Sequence, residues 1–196
     1  GNIYHGEWKN DKSHGQGKYI FKNGDSYIGE FSNGQENGKG IFTYSNGEKY
    51  EGEYENGKRT GRGKFFFKNG NKYEGEFWDG IKNGQGKFKY PNGNIYDGEW
   101  KDDNRHGQGT FNYVNGSSYT GEWSNGLIHG YGIYKYVNGD IYEGDFAEYK
   151  SKTLKILRSV GNYVYNNLKS NKILINQPQG AFYLMPEFLN KKFKNS

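Results

Sequence analysis

Aromatic and glycine positions repeat along this chain at a constant spacing of 23 residues. Counting a recurrent tyrosine as position 0 of each unit, position 2 is glycine, position 3 is an acid and position 4 is an aromatic ring. The tyrosines are Tyr4, Tyr27, Tyr50, Tyr73, Tyr96, Tyr119 and Tyr142, and the glycines are Gly6, Gly29, Gly52, Gly75, Gly98, Gly121 and Gly144. Six full units and the first strand of a seventh cover residues 4–147.

The second half of each unit carries glycines at positions 11 and 13, rings at positions 15 and 17, and a glycine at position 20 within Asn-Gly. Side chains alternate between the two faces of a strand, so positions 0, 2 and 4 share one face, as do positions 13, 15 and 17 of the next strand. Asn-Gly between such segments is a strong hairpin signal. The pattern predicts an all-β fold, an elongated antiparallel ribbon or solenoid of β-hairpins with one aromatic face.

A specific register follows if neighbouring strands pair so that unit positions sum to 17 within a unit and to 40 across a join. Glycine at position 2 then faces a ring at position 15, and glycine at position 13 faces a ring at position 4. A ring over a cross-strand glycine covers exposed backbone and occupies space that a Cβ would block. On the opposite face, the acid at position 3 would face position 14, where Lys18, Lys64 and Lys87 occur.

Composition agrees with a core of rings and glycines. The chain of 196 residues has 32 glycines, three prolines and 18% aromatic residues, but only 32% hydrophobic residues. Disordered chains are poor in aromatics, and the absence of cysteine excludes disulfides and thiolate sites. The apolar runs 173–175 and 181–185 are far shorter than the roughly 20 residues that cross a bilayer. We expect a cytoplasmic protein and, because Gly1 begins in mid-pattern, a piece of a longer one.

The unit resembles the MORN repeat (membrane occupation and recognition nexus). The segment 119–126, Tyr-Thr-Gly-Glu-Trp-Ser-Asn-Gly, followed by His129-Gly130-Tyr131-Gly132, carries the resemblance. Departures are Asp11 and Asp103 at position 7, where glycine is usual, and Asn37, Thr60 and Asn83 at position 10, where histidine is common. The resemblance implies a β solenoid used as a scaffold, dimerisation module or membrane-tethering arm.

Sites for catalysis, nucleotides or metals are not favoured by the pattern. Gly15-Gln16-Gly17 leads into a strand, whereas a dinucleotide loop opens a helix. His14, His106 and His129 all lie at position 10 without a nearby third ligand, so turn hydrogen bonding is favoured over zinc. Acid–base catalysis by a pair of carboxylates requires a dry pocket that shifts the pKa of one of them. The position 3 acids instead recur in every unit and are expected on a solvent-exposed face.

Charge is divided unequally along the chain. Residues 1–146 carry 18 basic and 20 acidic residues, whereas the last 50 carry nine and two. One run in unit three lacks an intervening acid and is a candidate anionic-lipid patch, with a solvated, partly neutralised face as the alternative; it comprises Lys58, Arg59, Arg62, Lys64, Lys68 and Lys72. Nucleic-acid binding is disfavoured because the rings are committed to the aromatic face and the basic excess lies in the tail.

The tail, 148–196, is basic and loses the repeat. Its pattern predicts an amphipathic helix over 153–170 and short strands at 173–175 and 181–185, with capping of the array as the expected role and an anionic-surface anchor as the alternative. Residues 178–186, with Arg158 in the preceding helix, resemble the small domain of fold-type I pyridoxal-phosphate aminotransferases. The Schiff-base lysine and large domain of that family cannot be placed here, so we infer no transaminase activity.

These observations favour a non-enzymatic scaffold without cofactor, metal or small-molecule substrate. We expect it to bind protein partners and to self-associate as a homodimer, in the cytoplasm, at the cytoskeleton or at the membrane periphery. The sequence leaves two alternatives open. One is a peripheral membrane module that binds anionic phospholipid or phosphoinositide, and the other is the regulatory arm of an enzyme absent from this chain.

Overall fold

The computed structural model describes residues 1–146 as thirteen antiparallel strands in one sheet, in which spatial order follows chain order. These residues lie in the first of two compact units, Gly1–Tyr149 and Lys150–Ser196. The predicted helix 153–170 and strands 173–175 and 181–185 lie outside the described residues. The strands are β1 Ile3–Lys9, β2 Lys12–Ile20, β3 Ser26–Ser32, β4 Gln35–Thr43, β5 Lys49–Glu55, β6 Lys58–Phe66, β7 Lys72–Trp78, β8 Ile81–Lys89, β9 Ile95–Lys101, β10 Asn104–Asn112, β11 Ser118–Ser124, β12 Leu127–Lys135 and β13 Ile141–Asp145.

A two-residue turn at positions 6 and 7 joins the two strands of each unit. Both residues have positive φ, as a type I′ hairpin requires; in unit two these are Asn33 (φ 52°) and Gly34 (φ 88°). Asp103 takes the glycine position of unit five at φ 63°. Asparagine, aspartate and glycine tolerate this region best, so the sequence of the turn and its geometry agree.

Each unit contains a bulge between its two strands, and this bulge overturns the predicted register. Tyr50 faces Phe65 and Gly52 faces Gly63, so paired positions sum to 15 rather than 17. Across the join they sum to 38 rather than 40, as with Tyr19 and Tyr27. The prediction centred the turn between positions 8 and 9. The two-residue turn moves that centre to positions 6 and 7, and positions 11 and 12 are then the extra residues of the bulge.

The aromatic face itself is confirmed, because a shift of two positions keeps every side chain on its predicted face. Glycine faces glycine across the strands, and the tyrosine at position 0 lies diagonally over the pair. A Cβ added to Gly63 would lie 2.6 Å from Cζ of Tyr50. The acid at position 3 does not face position 14 as predicted; position 14 pairs with position 1, as Lys64 does with Glu74.

Asn-Gly closes the longer loop between units. In the first join only the glycine has positive φ (Gly24, 89°), and its amide donates to the carbonyl oxygen of Phe21 at 2.9 Å. The amide of Phe21 in turn donates to the carbonyl of Asp25 at 2.9 Å. The predicted hairpin is therefore present at the Asn-Gly join.

The core is a layer of rings on one face of the sheet. Positions 0 and 4 form a continuous first ring row from Trp8 to Tyr142, with centroids 4.9–5.4 Å apart and planes at 78–90°. Positions 15 and 17 form a second ring row, with centroids 4.4–5.9 Å apart and planes tilted by 37–52°. The edge-to-face contacts of the first ring row add stability beyond that of the buried area alone. Tyr50 and Tyr96 are fully buried.

Candidate interaction faces

The aromatic face presents a line of half-buried rings at position 17. Its first five members pack against the buried core on one side while part of each ring stays accessible; they are Phe21, Tyr44, Phe67, Tyr90 and Tyr113. Tyr136 continues the line and contacts Tyr134. In units one to five, each contacts the position 15 ring of its own strand and that of the next unit, as Tyr90 does with Phe88 at 4.7 Å and with Phe111 at 5.7 Å. The line is therefore held at a fixed spacing by the core beneath it.

A row of cations crosses the same face in units three to five. Position 9 holds Arg59, Lys82 and Arg105, which we call the cation row. The guanidinium carbon of Arg59 lies 5.2 Å from the ring centroid of Phe65, and that of Arg105 lies 4.3 Å from the centroid of Trp123. Such contacts combine packing of the side-chain stem with cation–π attraction.

The two arginines and the lysine differ in their partners. Arg59 donates from Nη2 to the carbonyl oxygen of Gly80, and Arg105 does the same to Gly126. Lys82 instead forms an ion pair with Asp103, with Nζ 2.7 Å from Oδ1. Among residues 1–146, neither arginine of the row has a carboxylate within salt-bridge distance.

Asp103 is the position 7 residue that departs from glycine, and the contact with Lys82 gives it a structural role. Its Oδ1 also accepts from the backbone amide of Lys82 at 3.0 Å. Partial burial alone would raise the pKa of Asp103, but the hydrogen bonds from the ammonium and the amide of Lys82 outweigh it and hold that pKa below its usual value. The departure therefore neutralises the middle cation of the row.

The position 3 acids bind the backbone of the bulge. Oε1 of Glu99 accepts from the amide of Gln108 at 2.8 Å, and four other units show the same bond at 3.0–3.2 Å. The bulge glycine at position 11 has φ 55° at Gly107, where a Cβ would collide with the carboxylate of Glu99. The acids thus satisfy an amide that the bulge leaves without a strand partner.

The structure separates the six residues of the candidate lipid patch. Arg59 lies on the aromatic face, whereas Arg62, Lys64 and Lys72 lie on the opposite face. Two lysines already have acidic partners, since Lys64 lies 3.1 Å from Glu74 and Lys58 contacts Asp79. Lys68 lies in the loop after β6, where its amide donates to Glu48 at 3.3 Å.

The opposite face carries a row of alternating charges in its central units. The row runs across five strands through Glu51, Lys64, Glu74, Lys87 and Asp97. Two of its contacts are ion pairs, Lys64 with Glu74 and Lys87 with Asp97 at 2.9 Å. These residues line an open concavity of about 600 Å³ with Arg62, Gln85 and Lys89. Exposed pairs of this kind contribute well under about 1 kcal/mol each.

A basic cluster of Lys49, Lys72 and Lys89 lies on the opposite face beside Phe66, and Lys49 is paired with Glu51. The ammonium of Lys49 lies 4.9 Å from the centroid of this ring, and that of Lys72 lies 5.8 Å from it. Lys89 faces Lys72 on the next strand. Sequence reasoning grouped Lys72 with its chain neighbours and missed Lys49 and Lys89, which only the register brings beside it.

The described residues contain neither a metal-binding cluster nor a membrane-spanning helix. Within residues 1–146, no group of three or more histidine, cysteine, aspartate or glutamate side chains is arranged to hold a metal ion. Over the same residues, no helix has the length and apolar character needed to span a bilayer.

The repeat matches a known family throughout. The MORN repeat model fits six consecutive segments, 4–26, 27–49, 50–72, 73–95, 96–118 and 119–141. The chain belongs to the MORN-repeat family. Its units are MORN repeats with the boundaries that the tyrosines predict, and together they build a repeat scaffold. The aminotransferase resemblance of residues 178–186 finds no support in the comparisons, and a search of curated proteins yields no match.

Two solved structures with which this chain shares similarity are distant in sequence and structure. The TCP domain of SAS-4 (dCPAP) from Drosophila melanogaster, solved with a proline-rich motif of Ana2 (dSTIL), is 15% identical with a TM-score of 0.43, covering 66% of this chain and 71% of that one. The TCP10 domain of Danio rerio CPAP is 17% identical with a TM-score of 0.22, covering 66% and 83%. Both are too distant in structure to indicate a partner for this chain.

Proposed function

We propose that the MORN array is a non-catalytic scaffold that binds protein partners on its aromatic face. The line of half-buried rings at position 17 carries this proposal. Tyrosine and phenylalanine offer a large contact area with few rotatable bonds, and they are enriched at the centres of protein interfaces together with arginine. Here the second ring row already orders the line, so these rings lose little side-chain entropy when a partner binds.

The experiment compares two sets of substitutions in the full chain. The first, Tyr44→Ser with Tyr90→Ser, removes two rings of the line. The control set, Ile28→Ser, Ile41→Ser and Tyr131→Ser, removes exposed apolar side chains of the opposite face. Thermal melting first establishes that each protein is folded. Cross-linking in cytosol, followed by mass spectrometry, then identifies proteins held by each form.

The proposal predicts cross-links from partners to residues of the aromatic face, present in wild type and the control set and lost in the ring set. Partners retained equally by both sets, or lost only in the control set, would contradict it.

Self-association forms part of the same proposal and is best supported on the opposite face. If two copies pack face to face about a twofold axis that passes between Lys64 and Glu74, Lys64 of one copy lies beside Glu74 of the other. Glu51 of one copy then lies beside Lys87 of the other. A twofold interface uses one patch on both copies, so such self-complementarity is what it needs. Light scattering coupled to size exclusion should show a dimer that weakens with added salt and with Lys64→Glu. A monomer at all concentrations and salt levels would contradict self-association.

Binding to an anionic membrane is a second candidate, favoured by Lys49 and Lys72 at the Phe66 ring and by Lys89, which faces Lys72. An aromatic ring framed by lysines suits the headgroup region, where each basic residue near the surface contributes about 1 kcal/mol. Flotation with phosphatidylserine or phosphoinositide vesicles should fall when Lys72 and Lys89 become glutamine. The candidate anionic-lipid patch predicted from the sequence would instead require that Lys58→Gln and Arg59→Gln reduce flotation. Equal flotation of the wild type and all variants would contradict membrane binding at either site.

A further inference from the structure

The charge of the aromatic face is concentrated in its middle three units. Position 9 is Ser13, Glu36 and Ile128 in units one, two and six, but a cation in units three, four and five. These six side chains occupy equivalent places in the fold, facing the position 4 ring of the same unit, as Arg59 faces Tyr54. The cation row therefore marks one segment of an otherwise regular face as different from the rest.

Arg59 and Arg105 retain hydrogen-bonding capacity that the array does not use. A guanidinium has five N–H donors, and one described hydrogen bond from each arginine goes to a backbone carbonyl. Both side chains are half-buried and lie against three rings each, which fixes their position. A pre-positioned fork of this type suits a carboxylate, which accepts two parallel hydrogen bonds.

The charge at the middle of the row is already neutralised. Lys82 is paired with Asp103, and its side chain is only 15% exposed. A carboxylate brought to this point would meet the negative charge of Asp103 as well as the lysine. The face thus offers two anion-binding positions separated by a neutral one.

The distance between the two arginines predicts the spacing of acidic residues in a segment that binds both. Arg59 and Arg105 lie two units, or four strands, apart, which is about 19 Å at about 4.8 Å per strand. An extended chain that runs along the array advances about 3.3 Å per residue. Six residues therefore span the distance between the two arginines, and the third falls over the Lys82–Asp103 pair.

We propose that the aromatic face binds an extended protein segment with acidic residues at i and i+6 and an uncharged residue at i+3, its carboxylates on Arg105 and Arg59. Apolar side chains of the segment would rest on the line of half-buried rings, where Tyr90 lies between the units of the two arginines. The inference rests on the proposed function, since it names the class of partner for the same face.

The probe is a fluorescein-labelled peptide of about twelve residues, built from threonine, valine and serine with two glutamates six residues apart. Two control peptides have the same length, one with the same composition but the glutamates three residues apart and one with both glutamates replaced by glutamine. Fluorescence anisotropy with the full chain at low salt measures affinity. The protein variants are Arg59→Gln, Arg105→Gln and the matched opposite-face control Arg62→Gln, each checked by thermal melting.

We expect the i, i+6 peptide to bind about tenfold or more tightly than either control peptide, and each of Arg59→Gln and Arg105→Gln to weaken it about tenfold. Arg62→Gln should leave affinity unchanged. Arg59→Lys and Arg105→Lys should restore only part of the affinity, because a lysine lacks the planar fork.

Equal affinity for all three peptides, or equal weakening by Arg62→Gln, would overturn the proposal. If Arg59→Gln and Arg105→Gln instead abolish flotation with phosphatidylserine vesicles and leave the peptide unaffected, the occupant is a membrane and the proposal is wrong. If no peptide binds while the ring substitutions still release cytosolic partners, the proposed function stands and the acidic segment does not.

Discussion

The hydroxyl of Tyr96 donates a hydrogen bond to the carbonyl oxygen of Glu99, three residues further along the same strand, at 2.9 Å. A second carbonyl, that of His106, lies 3.4 Å from the same hydroxyl across the bulge. All seven position 0 tyrosines donate to the position 3 carbonyl, at 2.8–3.3 Å. Reaching these carbonyls brings the ring down over the glycine pair. The tyrosine thus supplies both the packing of the core and a partner for the backbone at the bulge.

The space above the glycine pair is filled by the tyrosine ring, so Gly63→Val should destabilise the array by about 1–3 kcal/mol or more through overpacking. The control, Thr43→Val, places the same side chain at an exposed strand position of the opposite face and should change stability by less than about 0.5 kcal/mol. Urea unfolding at equilibrium measures both. Equal stabilities of the two variants would show that no ring occupies this space.

The carboxylate of Glu99 should stabilise its bulge, because it accepts a hydrogen bond from the backbone amide of Gln108. Glu99→Ala should cost about 1 kcal/mol and speed hydrogen exchange at the Gln108 amide, while the rest of the sheet keeps its protection. Glu99→Gln retains an acceptor oxygen and should show a smaller effect on both measurements. Unchanged exchange at Gln108 in Glu99→Ala would mean that the contact contributes nothing.

Alkaline pH should destabilise the array. Burial raises the pKa of Tyr50 from an ordinary value of 10.0 to about 12, although the charge of Arg59 opposes part of the rise. A group whose pKa is raised on folding stabilises the fold fully below the pKa of the unfolded state, and that contribution is lost as pH rises through the folded value. We expect the unfolding free energy to fall between pH 10 and 12, and less steeply in Tyr50→Phe. An identical profile in that variant would contradict the assignment.

Acid should remove the contribution of Asp103, whose pKa lies below its ordinary value of 3.8 because the bonds from Lys82 outweigh its partial burial. A group whose pKa is lowered on folding stabilises the fold at pH values above its pKa in the unfolded state. That contribution to stability is lost as the pH falls through its pKa in the folded state. Asp103→Asn should therefore be less stable at neutral pH, by under about 1 kcal/mol because the side chain is half exposed. The difference should shrink as the pH falls below the ordinary value of 3.8. A deficit that persists at low pH would point to the turn backbone instead.

The sequence predicts most of the fold because its two signals are local. Ring and glycine periodicity assigns residues to faces, and that assignment survives an error of two in register. The pairing partners were wrong because the bulge at Gly61 and Arg62 adds two residues to one strand. Its sequence signal, a glycine at position 11 beside an acid at position 3, is visible only once the turn at positions 6 and 7 is identified.

The candidate faces were harder to predict because they combine residues from several units. Arg59 was grouped with its charged chain neighbours, but alternation places Arg59 and Arg62 on opposite faces of the array. The relation of Arg59 to Lys82 and Arg105 is a 23-residue one, and it becomes apparent when position 9 is compared between units. The pair formed by Lys82 and Asp103 depends on contact between successive turns, which a single unit does not contain.

The position 0 tyrosine lies over a facing pair of glycines in every full unit that the structure describes. Proton NMR tests it through cross-strand contacts, since a substituent on Cα of Gly52 would lie 2.6 Å from Cα of Gly63. We expect a strong nuclear Overhauser effect between the α protons of Gly52 and Gly63, and effects from the Tyr50 ring to Gly63. A strong effect between the α protons of Gly52 and Phe65 instead, with the tyrosine ring remote from both glycines, would contradict it.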